Sequence, residues 1–343
     1  MYSPTPAQPA RPKRSRFVLV RKFAAAIIGV AAGAAFLFAA LRGVDTAAVG
    51  RVLARGRWDA PAAAVLLGAA VFVICKSCRW HLLLGDPATP KASALLRPVA
   101  IGLLLNALLA HTGEVARSIV VNRKYGIPIP TVLVSIAIER LFDVLAVLSL
   151  ATIAGALTPV PSALTPALRA LTALACAVGI VVAACLWRPA RALCVLKLST
   201  RWLPERSQIW VDRQFHQAFD GIEPLRAAHR LPAVLGWSLI QWGAIVWSVF
   251  WCCAVAGQAV NPALATLVMV ALVVVFMLPN APAYVGSTQI AFLIVLAPVG
   301  IPRAGAIACS VVYLALFIVP TMLAGALALA EWPKAATKRT GPT

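Results

Sequence analysis

Long apolar stretches recur along the chain and constrain its fold more than any other feature. A helix needs about 20 apolar residues to cross a bilayer, because the hydrocarbon layer offers backbone amides no water to bond. Stretches that meet this length cover residues 23–41, 61–84, 131–157, 168–187, 231–257 and 303–330. We therefore predict an all-α polytopic integral membrane protein with about six full spans.

The composition agrees with a membrane setting and excludes several other classes of protein. Apolar residues make up 61% of the chain and charged residues only 12%, with a mean hydropathy of +0.88. The formal net charge of +20 accompanies apolar segments, where basic residues usually set topology, so we expect no nucleic-acid partner. Cys75 and Cys78 lack the second ligand pair of a zinc site, and we expect no metal and no cofactor.

Two further apolar regions are interrupted. The first runs over 92–110, breaks at 111–113 and continues as a short charged segment at 114–125. The second runs over 262–278, breaks at 279–282 and continues over 284–296. Each region is either a full span followed by an interfacial helix, or a re-entrant hairpin that leaves the membrane on the side it entered.

The distribution of basic residues favours the hairpins. Residues 1–22 hold six Lys or Arg and no acid, and residues 188–230 hold eight against four acids, so both are expected in the cytoplasm. Two hairpins place both segments and the 331–343 tail inside, whereas two single crossings would place 188–230 outside. The hairpin arrangement conflicts with the charge rule at one place, because it puts four arginines outside. These are Arg42, Arg51, Arg55 and Arg57.

This topology defines the expected domain organisation. Residues 1–22 form a basic cytoplasmic tail, residues 23–330 form one transmembrane domain, and residues 331–343 form a second cytoplasmic tail. Within the domain, residues 188–230 mix aromatic and charged side chains and predict an amphipathic helix on the inner leaflet, with a solvated linker as the alternative. The order span, hairpin, span occurs twice in opposite orientation, which predicts an inverted-topology repeat.

Acidic residues inside the apolar segments are the main candidates for function, since intramembrane charge is costly. Glu139 and Asp143 are four residues apart on one predicted helix, and Arg140 is three residues from Asp143. Such a polar seam either binds a ligand or locks helices together as a salt-bridge cluster. Lys76 and Arg79, near the end of a span, are interpreted as snorkelling anchors.

Helix amino termini after the two breaks are the second set of candidates. Glu114 and Arg117 follow the first break at a spacing of three residues. Free backbone amides and an arginine fork both suit a phosphate, and residues 284–288 offer similar amides after the second break. Breaks of this kind also occur as plain kinks, so each signal is weak by itself.

These residues resemble a known family. The segments GLLLN at 102–106, GEVAR at 113–117, ERLFD at 139–143 and PNAPAYVGSTQ at 279–289 are similar to motifs of the lysylphosphatidylglycerol synthase transmembrane family, also called flippase-like domain proteins. Many members have Pro-Gly at Pro282-Ala283 and Glu at Gln289, so this chain lacks the acid that a proton-coupling role of the second hairpin would use. With 13 residues after Ala330, we expect the membrane region without the family's aminoacyl transferase domain.

The resemblance implies lipid handling in the bacterial inner membrane. We expect a flippase or lipid transporter that binds a polar or anionic headgroup in a midplane cavity, with both termini cytoplasmic and no catalytic residues. The expected ligands are an anionic phospholipid, a hopanoid or a polyprenyl-linked lipid. The alternatives are an intramembrane lipid-modifying transferase and a non-transporting accessory factor that partners lipid-biosynthesis enzymes.

The expected headgroup site combines residues from all the motifs above. Arg117 and Arg140 would hold the headgroup, the carboxylates would balance them, and three neutral side chains would add hydrogen bonds. The predicted substrate-binding residues are Asn106, Glu114, Arg117, Glu139, Arg140, Asp143, Tyr284 and Ser287.

Overall fold

The fold is a bundle of α-helices, as predicted. The computed structural model describes residues 34, 35, 37–85, 90–109, 112–187, 202, 204–221, 230–278 and 281–331, and no strand occurs within these ranges. The predicted tails and most of the span at 23–41 lie outside the described residues, although residues 37–41 are helical.

The helices are numbered in chain order. They are α1 (Thr46–Ala54), α2 (Ala60–Leu84), α3 (Ala92–Leu108), α4 (Thr112–Tyr125), α5 (Ile129–Leu157), α6 (Thr165–Trp187), α7 (Glu205–Asp220), α8 (Leu231–Val255), α9 (Pro262–Phe276), α10 (Ser287–Leu296), α11 (Arg303–Tyr313) and α12 (Val319–Ala330). A 3₁₀ turn, Pro282–Tyr284, precedes α10, and a second, Ala297–Val299, follows it.

Among the described residues, five helical segments are long and apolar enough to cross a membrane. They are Ala60–Leu84, Ser162–Val181, Leu231–Val255, Pro282–Val299 and Arg303–Ala330. The last combines α11 and α12 through a π-helical turn, Leu314–Ile318, next to Pro320, whose missing N–H interrupts the α-helical ladder.

Two segments differ from the predicted set of spans. Pro282–Val299 reaches a span's length because the 3₁₀ turns extend α10 beyond the expected short run. Helix α5 is long enough to cross at 29 residues, but it carries three charged residues in its middle. Large apolar side chains lie exposed on the outside of the bundle, including Leu67, Ile153 and Leu327, which is the surface expected of a multi-pass membrane protein.

Hydrogen bonds between residues in or next to the helix ends define the two ends of the bundle. At the near end, Arg230 donates to the carbonyl of Gly85 at 3.2 Å, and Thr131 donates to the carbonyl of Gln217 in α7 at 2.8 Å. At the far end, the amide of Arg57 donates to the carbonyl of Val255 at 2.9 Å. The pairs at each end are those that the hairpin topology places on the same side.

Both interrupted regions return to the end where they begin. In the first hairpin (α3 and α4), the hydroxyl of Tyr125 donates to the carbonyl of Ala94 at 3.4 Å, so α4 ends where α3 starts, at the near end. The second hairpin (residues 262–299) starts just after Gln258. Gly305, just beyond the hairpin, lies against the Gln258 side chain, 2.9 Å from the position a Cβ would take. The second hairpin therefore enters and leaves at the far end.

The core is built mainly around the second hairpin. Every residue from Ala263 to Leu272 on α9 is buried, as are most residues of α10 and α11. Helices α2 and α8 form the most extensive pair among the described elements, and α3 packs between α4 and α12. The first hairpin and α5 thus lie beside this core and bring their polar residues against α2 and α8.

Candidate functional site

A cluster of charged side chains lies inside the bundle, on the side where α2, α4, α5 and α8 meet. We call these residues the charge cluster; they are Lys76, Arg79, Glu114, Arg117, Glu139, Arg140 and Asp143. With a rise of about 1.5 Å per residue, Lys76 lies about 12 Å from the end of α2, and Glu139 about 15 Å from the start of α5. Both depths are well inside a hydrocarbon layer about 30 Å thick.

Glu139 is the centre of the cluster. Its Oε1 accepts from Lys76 and, at 3.1 Å, from Arg79, and its Oε2 accepts from Arg117 at 2.8 Å. Only 1% of its side chain is exposed. Three cations from two other helices therefore converge on a single buried carboxylate, which fixes α2 and α4 against α5.

Asp143 lies one turn further along the same face of α5. Its Oδ1 is 2.7 Å from Arg79 Nη1 and accepts the indole N–H of Trp242 at 3.0 Å and the amide of Gln241 at 3.4 Å. Arg79 also donates to Ser238 at 3.0 Å. These polar residues on the otherwise apolar helix α8 complete the environment of Asp143.

The interpretation of Lys76 and Arg79 as snorkelling anchors is wrong. Both side chains are buried, Arg79 with 0% of its surface exposed, and both pair with carboxylates of α5 instead of reaching the membrane interface. The spacing of three residues on α2 places them on one face. One sequence signal could have revealed this role of Lys76 and Arg79. Two carboxylates in the middle of α5 need more cations than the single Arg140 that α5 supplies, so other helices must provide them.

Arg117 is enclosed and held from two sides. Besides its bond to Glu139, its guanidinium carbon lies 3.9 Å from the ring centroid of Trp80, a cation–π contact. Trp80 is fully buried and donates to Ser135 at 3.1 Å, so it is a core residue. Sequence spacing suggested Glu114 as the partner of Arg117, whereas the structure pairs Arg117 with Glu139.

Glu114 pairs with Arg140 across the gap between the first hairpin and α5. Its Oε1 accepts from Arg140 and, at 3.3 Å, from the amide of Asn106. Arg140 also lies 3.7 Å from Asp143 Oδ2. The Arg140 side chain is 51% exposed, in contrast to the other three cations of the cluster.

The two arms of the first hairpin approach closely beside this pair. A Cβ on Gly113 would lie 2.0 Å from the carbonyl oxygen of Gly102, so a side chain there would separate the arms. The amide of Gly113 donates to Asn106 Oδ1 at 2.7 Å. One of the amino-terminal amides of α4, which the sequence suggested for a phosphate, is therefore already bonded to the protein.

The break of the second hairpin lies next to the first hairpin. The 3₁₀ turn at Pro282–Tyr284 packs against α3, and Tyr284 lies within electrostatic range of Arg140 and Glu114. The Tyr284 ring stacks on Phe276 with centroids 4.1 Å apart. Ser287 is buried at the start of α10, where the Gln289 side chain accepts the amide of Gly286 at 2.7 Å.

The structure thus brings most of the predicted site residues together. Asn106, Glu114 and Arg140 form the accessible part, Arg117, Glu139 and Asp143 form the buried part, and Tyr284 joins from the second hairpin. Ser287 lies three residues beyond Tyr284 and is buried at the start of α10.

Comparisons with known proteins identify the family. The comparison with curated proteins and the comparison with solved structures each gave no match. A family model, described as the lysylphosphatidylglycerol synthase transmembrane region, matches residues 26–325 and so includes both hairpins and the whole charge cluster. The chain therefore belongs to the lysylphosphatidylglycerol synthase transmembrane family.

Proposed function

We propose that this protein binds the polar headgroup of a membrane lipid beside the charge cluster and moves the lipid between leaflets. Family membership suggests a lipid-related role in the membrane. The observation that carries the proposal is the position of Arg140, whose side chain is half exposed although it lies well within the length of α5.

The exposure of Arg140 at this depth calls for a polar neighbour. A guanidinium facing acyl chains costs several kcal/mol, and intramembrane cations therefore usually face a partner or a water-filled cavity. Glu114 neutralises one part of the group, and half of the Arg140 side-chain surface is exposed to the space beside this pair. A lipid headgroup that enters this space would meet the guanidinium there.

The charge balance favours an anionic headgroup. The cluster contains four cations, Lys76 and three arginines, against three carboxylates, which leaves one positive charge in excess. Because this excess charge lies in a medium of low dielectric constant, it attracts an anion more strongly than the same charge would at the protein surface. An anionic phospholipid or a polyprenyl phosphate carries negative charge that this excess attracts, whereas an uncharged hopanoid would rely on hydrogen bonds.

The two hairpins support movement rather than binding alone. They enter from opposite ends, and the turn Pro282–Tyr284 of the second packs against α3 of the first, with Tyr284 within electrostatic range of Arg140. Transporters with inverted repeats place their sites at such breaks, and small movements of the two halves then open the site to either side.

A lipid-modifying transferase is the competing function. It would need a carboxylate free to accept a proton, but Glu139 and Asp143 already accept bonds from several cations and amides. Their pairing favours an electrostatic role, and we propose neither catalytic residues nor a cofactor. An accessory factor for lipid-biosynthesis enzymes is the third possibility.

Reconstitution in liposomes distinguishes these functions. Purified protein is incorporated with fluorescent derivatives of phosphatidylglycerol and of a polyprenyl phosphate, and lipid exchange between leaflets is followed by quenching, with product analysis by mass spectrometry. We expect exchange of at least one of these lipids without chemical change, and its loss in Arg140→Gln.

The matched control is Arg51→Gln, which removes an exposed arginine paired with Asp45, away from the cluster. This variant should exchange lipid like the wild type. A covalently altered lipid would indicate a transferase, and a protein that shows neither exchange nor product but copurifies with a biosynthetic enzyme would indicate an accessory factor.

A further inference from the structure

Glu114 pairs with Arg140, the accessible arginine of the charge cluster, in the same way as an anionic ligand would. Its carboxylate bonds to Arg140, and Asn106 offers its carbonyl oxygen to the amide of Gly113 at the start of α4. Two acceptor oxygens of the protein thus cover the donors that a phosphate would use, a guanidinium and a helix amino terminus.

The other donors of the cluster are closed to a ligand. Arg79 Nε and Arg117 Nε donate to no acceptor among the described residues, but both atoms are buried, and their side chains are 0% and 3% exposed. Both guanidinium groups are held by Glu139, which lies between them. Arg140 is therefore the one arginine of the charge cluster that a headgroup can reach without breaking the buried ion pairs.

The bond between Glu114 and Arg140 is suited to exchange. Glu114 Oε2 is buried and has no hydrogen-bond partner among the described residues, so this carboxylate is incompletely satisfied where it lies. Its amide contact to Asn106 is long, at 3.3 Å. Glu139, in contrast, has both oxygens bonded to cations. Displacing Glu114 therefore costs less than displacing any carboxylate deeper in the cluster.

From these contacts we infer that Glu114 is an internal competitor, which the phosphate of an incoming lipid displaces from Arg140. The inference rests on the proposed function and adds the chemistry of the ligand. The cluster with Glu114 carries one excess positive charge, so a singly charged phosphodiester brings the site to neutrality, while a doubly charged phosphomonoester would overshoot it. Displacement also releases one of the two ion pairs described between α4 and α5, while the buried pair of Arg117 and Glu139 stays in place.

Binding measurements with a carboxamide at position 114 test this directly. Short-chain phosphatidylglycerol is titrated into purified protein in detergent, with short-chain phosphatidylcholine and inorganic phosphate as comparison ligands. Glu114→Gln removes the competing charge, and we expect phosphatidylglycerol to bind about fivefold tighter than to the wild type, since a partly exposed ion pair is worth up to about 1 kcal/mol. If the site recognises headgroup chemistry alone, inorganic phosphate should also bind more tightly to Glu114→Gln than to the wild type. If the acyl chains are required, inorganic phosphate should not bind to either protein.

The control variant is Glu331→Gln, which removes a carboxylate paired with Arg97 outside the cluster and raises the net charge equally. Its affinity should equal that of the wild type. If Glu114→Gln fails to fold, Glu114→Asp keeps the charge but shortens the side chain, and should tighten binding to a smaller extent.

The outcomes separate the two claims. Equal or weaker binding of phosphatidylglycerol by both Glu114 variants, with selective binding by the wild type, would overturn the competitor role and leave the headgroup site in place. Absence of any preference for phosphatidylglycerol over phosphatidylcholine in the wild type, together with absence of exchange of both lipids in the liposome assay, would contradict the proposed function itself. A gain in affinity that persists when Arg140→Gln is added would also overturn the inference, because the gain must act through Arg140.

Discussion

At the scale of single residues, the buried carboxylates determine how the cluster holds together. Asp143 accepts bonds from Arg79, Trp242 and Gln241, so its removal leaves a fully buried guanidinium with one fewer anion. We expect Asp143→Ala to lower the free energy of unfolding by about 3 to 5 kcal/mol, the usual cost of breaking a buried ion pair. Thermal unfolding in detergent measures the effect.

Asp59 provides the comparison for this variant. It precedes α2, is exposed, and makes no capping hydrogen bond through its side chain. Asp59→Ala should change the stability by less than about 0.5 kcal/mol. Equal melting temperatures for the two variants would mean that Asp143 does not hold Arg79 in the membrane.

Arg117 and Arg140 are expected to respond to lysine in opposite ways. In Arg117→Lys the contact with Trp80 and the planar fork on Glu139 are both weakened, so we expect a loss of about 1 to 2 kcal/mol in stability and nearly normal lipid exchange by the folded protein. In Arg140→Lys we expect normal stability and strongly reduced exchange. Melting temperature and exchange rate are recorded on the same preparations. Loss of exchange in Arg117→Lys together with loss of stability in Arg140→Lys would contradict this assignment.

The sequence was sufficient for part of the site and not for the rest. Glu139, Arg140 and Asp143 could be predicted because charge in the middle of an apolar helix has few uses. The partners on α2 and α8 could not, because Lys76 and Arg79 lie near enough to a helix end for their long side chains to reach either the interface or the core. Only the packing of α2 against α5 decides between these positions.

At the scale of elements, the second hairpin carries backbone strain at its break. Ala283 and Tyr284 both have φ of +58°, in the left-handed region that costs an L-residue about 1 to 2 kcal/mol. Glycine, which has no Cβ, adopts this conformation freely. The stacked pair of Tyr284 and Phe276 lies directly beside the strained residues.

Ala283→Gly should therefore stabilise the protein. The relief of strain exceeds the added entropy of glycine in the unfolded chain, so we expect a gain of roughly 0.5 to 1 kcal/mol. Ala281→Gly is the matched control, because Ala281 has φ of −65° and gains nothing from glycine. A melting temperature that falls equally in both variants would refute the assignment of strain.

The helices themselves followed closely from hydropathy, with bounds within a few residues for α2, α5, α6 and α8. Periodicity could not give the length of the last arm of the second hairpin, since the flanking 3₁₀ turns depend on the backbone conformations of single Pro and Gly residues and not on a hydrophobic pattern. The amphipathic helix expected within 188–230 is present as α7, which packs against α5; the rest of that loop lies mostly outside the described residues.

At the scale of the whole molecule, the topology makes a prediction about sidedness. Lys91 precedes α3 and Arg123 lies near the end of α4, both exposed, whereas Arg303 lies at the opposite end of the bundle. Single cysteines at these positions, in a background without native cysteines, should react with an impermeant reagent from the cytoplasm at 91 and 123, and from outside at 303. Reaction of 91 and 123 from different sides would mean that the first hairpin crosses the membrane.

The inverted arrangement could be predicted from segment lengths together with charge counts, although it places four arginines on the outer side, against the charge rule. The packing of the helices adds what the sequence cannot, namely that the turn Pro282–Tyr284 packs against α3 and that Tyr284 lies within electrostatic range of the pair formed by Arg140 and Glu114. That meeting point depends on the packing of α3 against the second hairpin, for which the two segments carry no local signal.

The central claim is that a lipid headgroup enters the bundle and reaches Arg140. Photocrosslinking with a phosphatidylglycerol analogue that carries a diazirine on its headgroup tests this most directly, with crosslinked peptides located by mass spectrometry. We predict crosslinks to the peptides that contain Arg140 and Tyr284, reduced by unlabelled phosphatidylglycerol and lost in Arg140→Gln. Crosslinks confined to the loops at the two ends of the bundle, unchanged by the Arg140 variant, would contradict this claim.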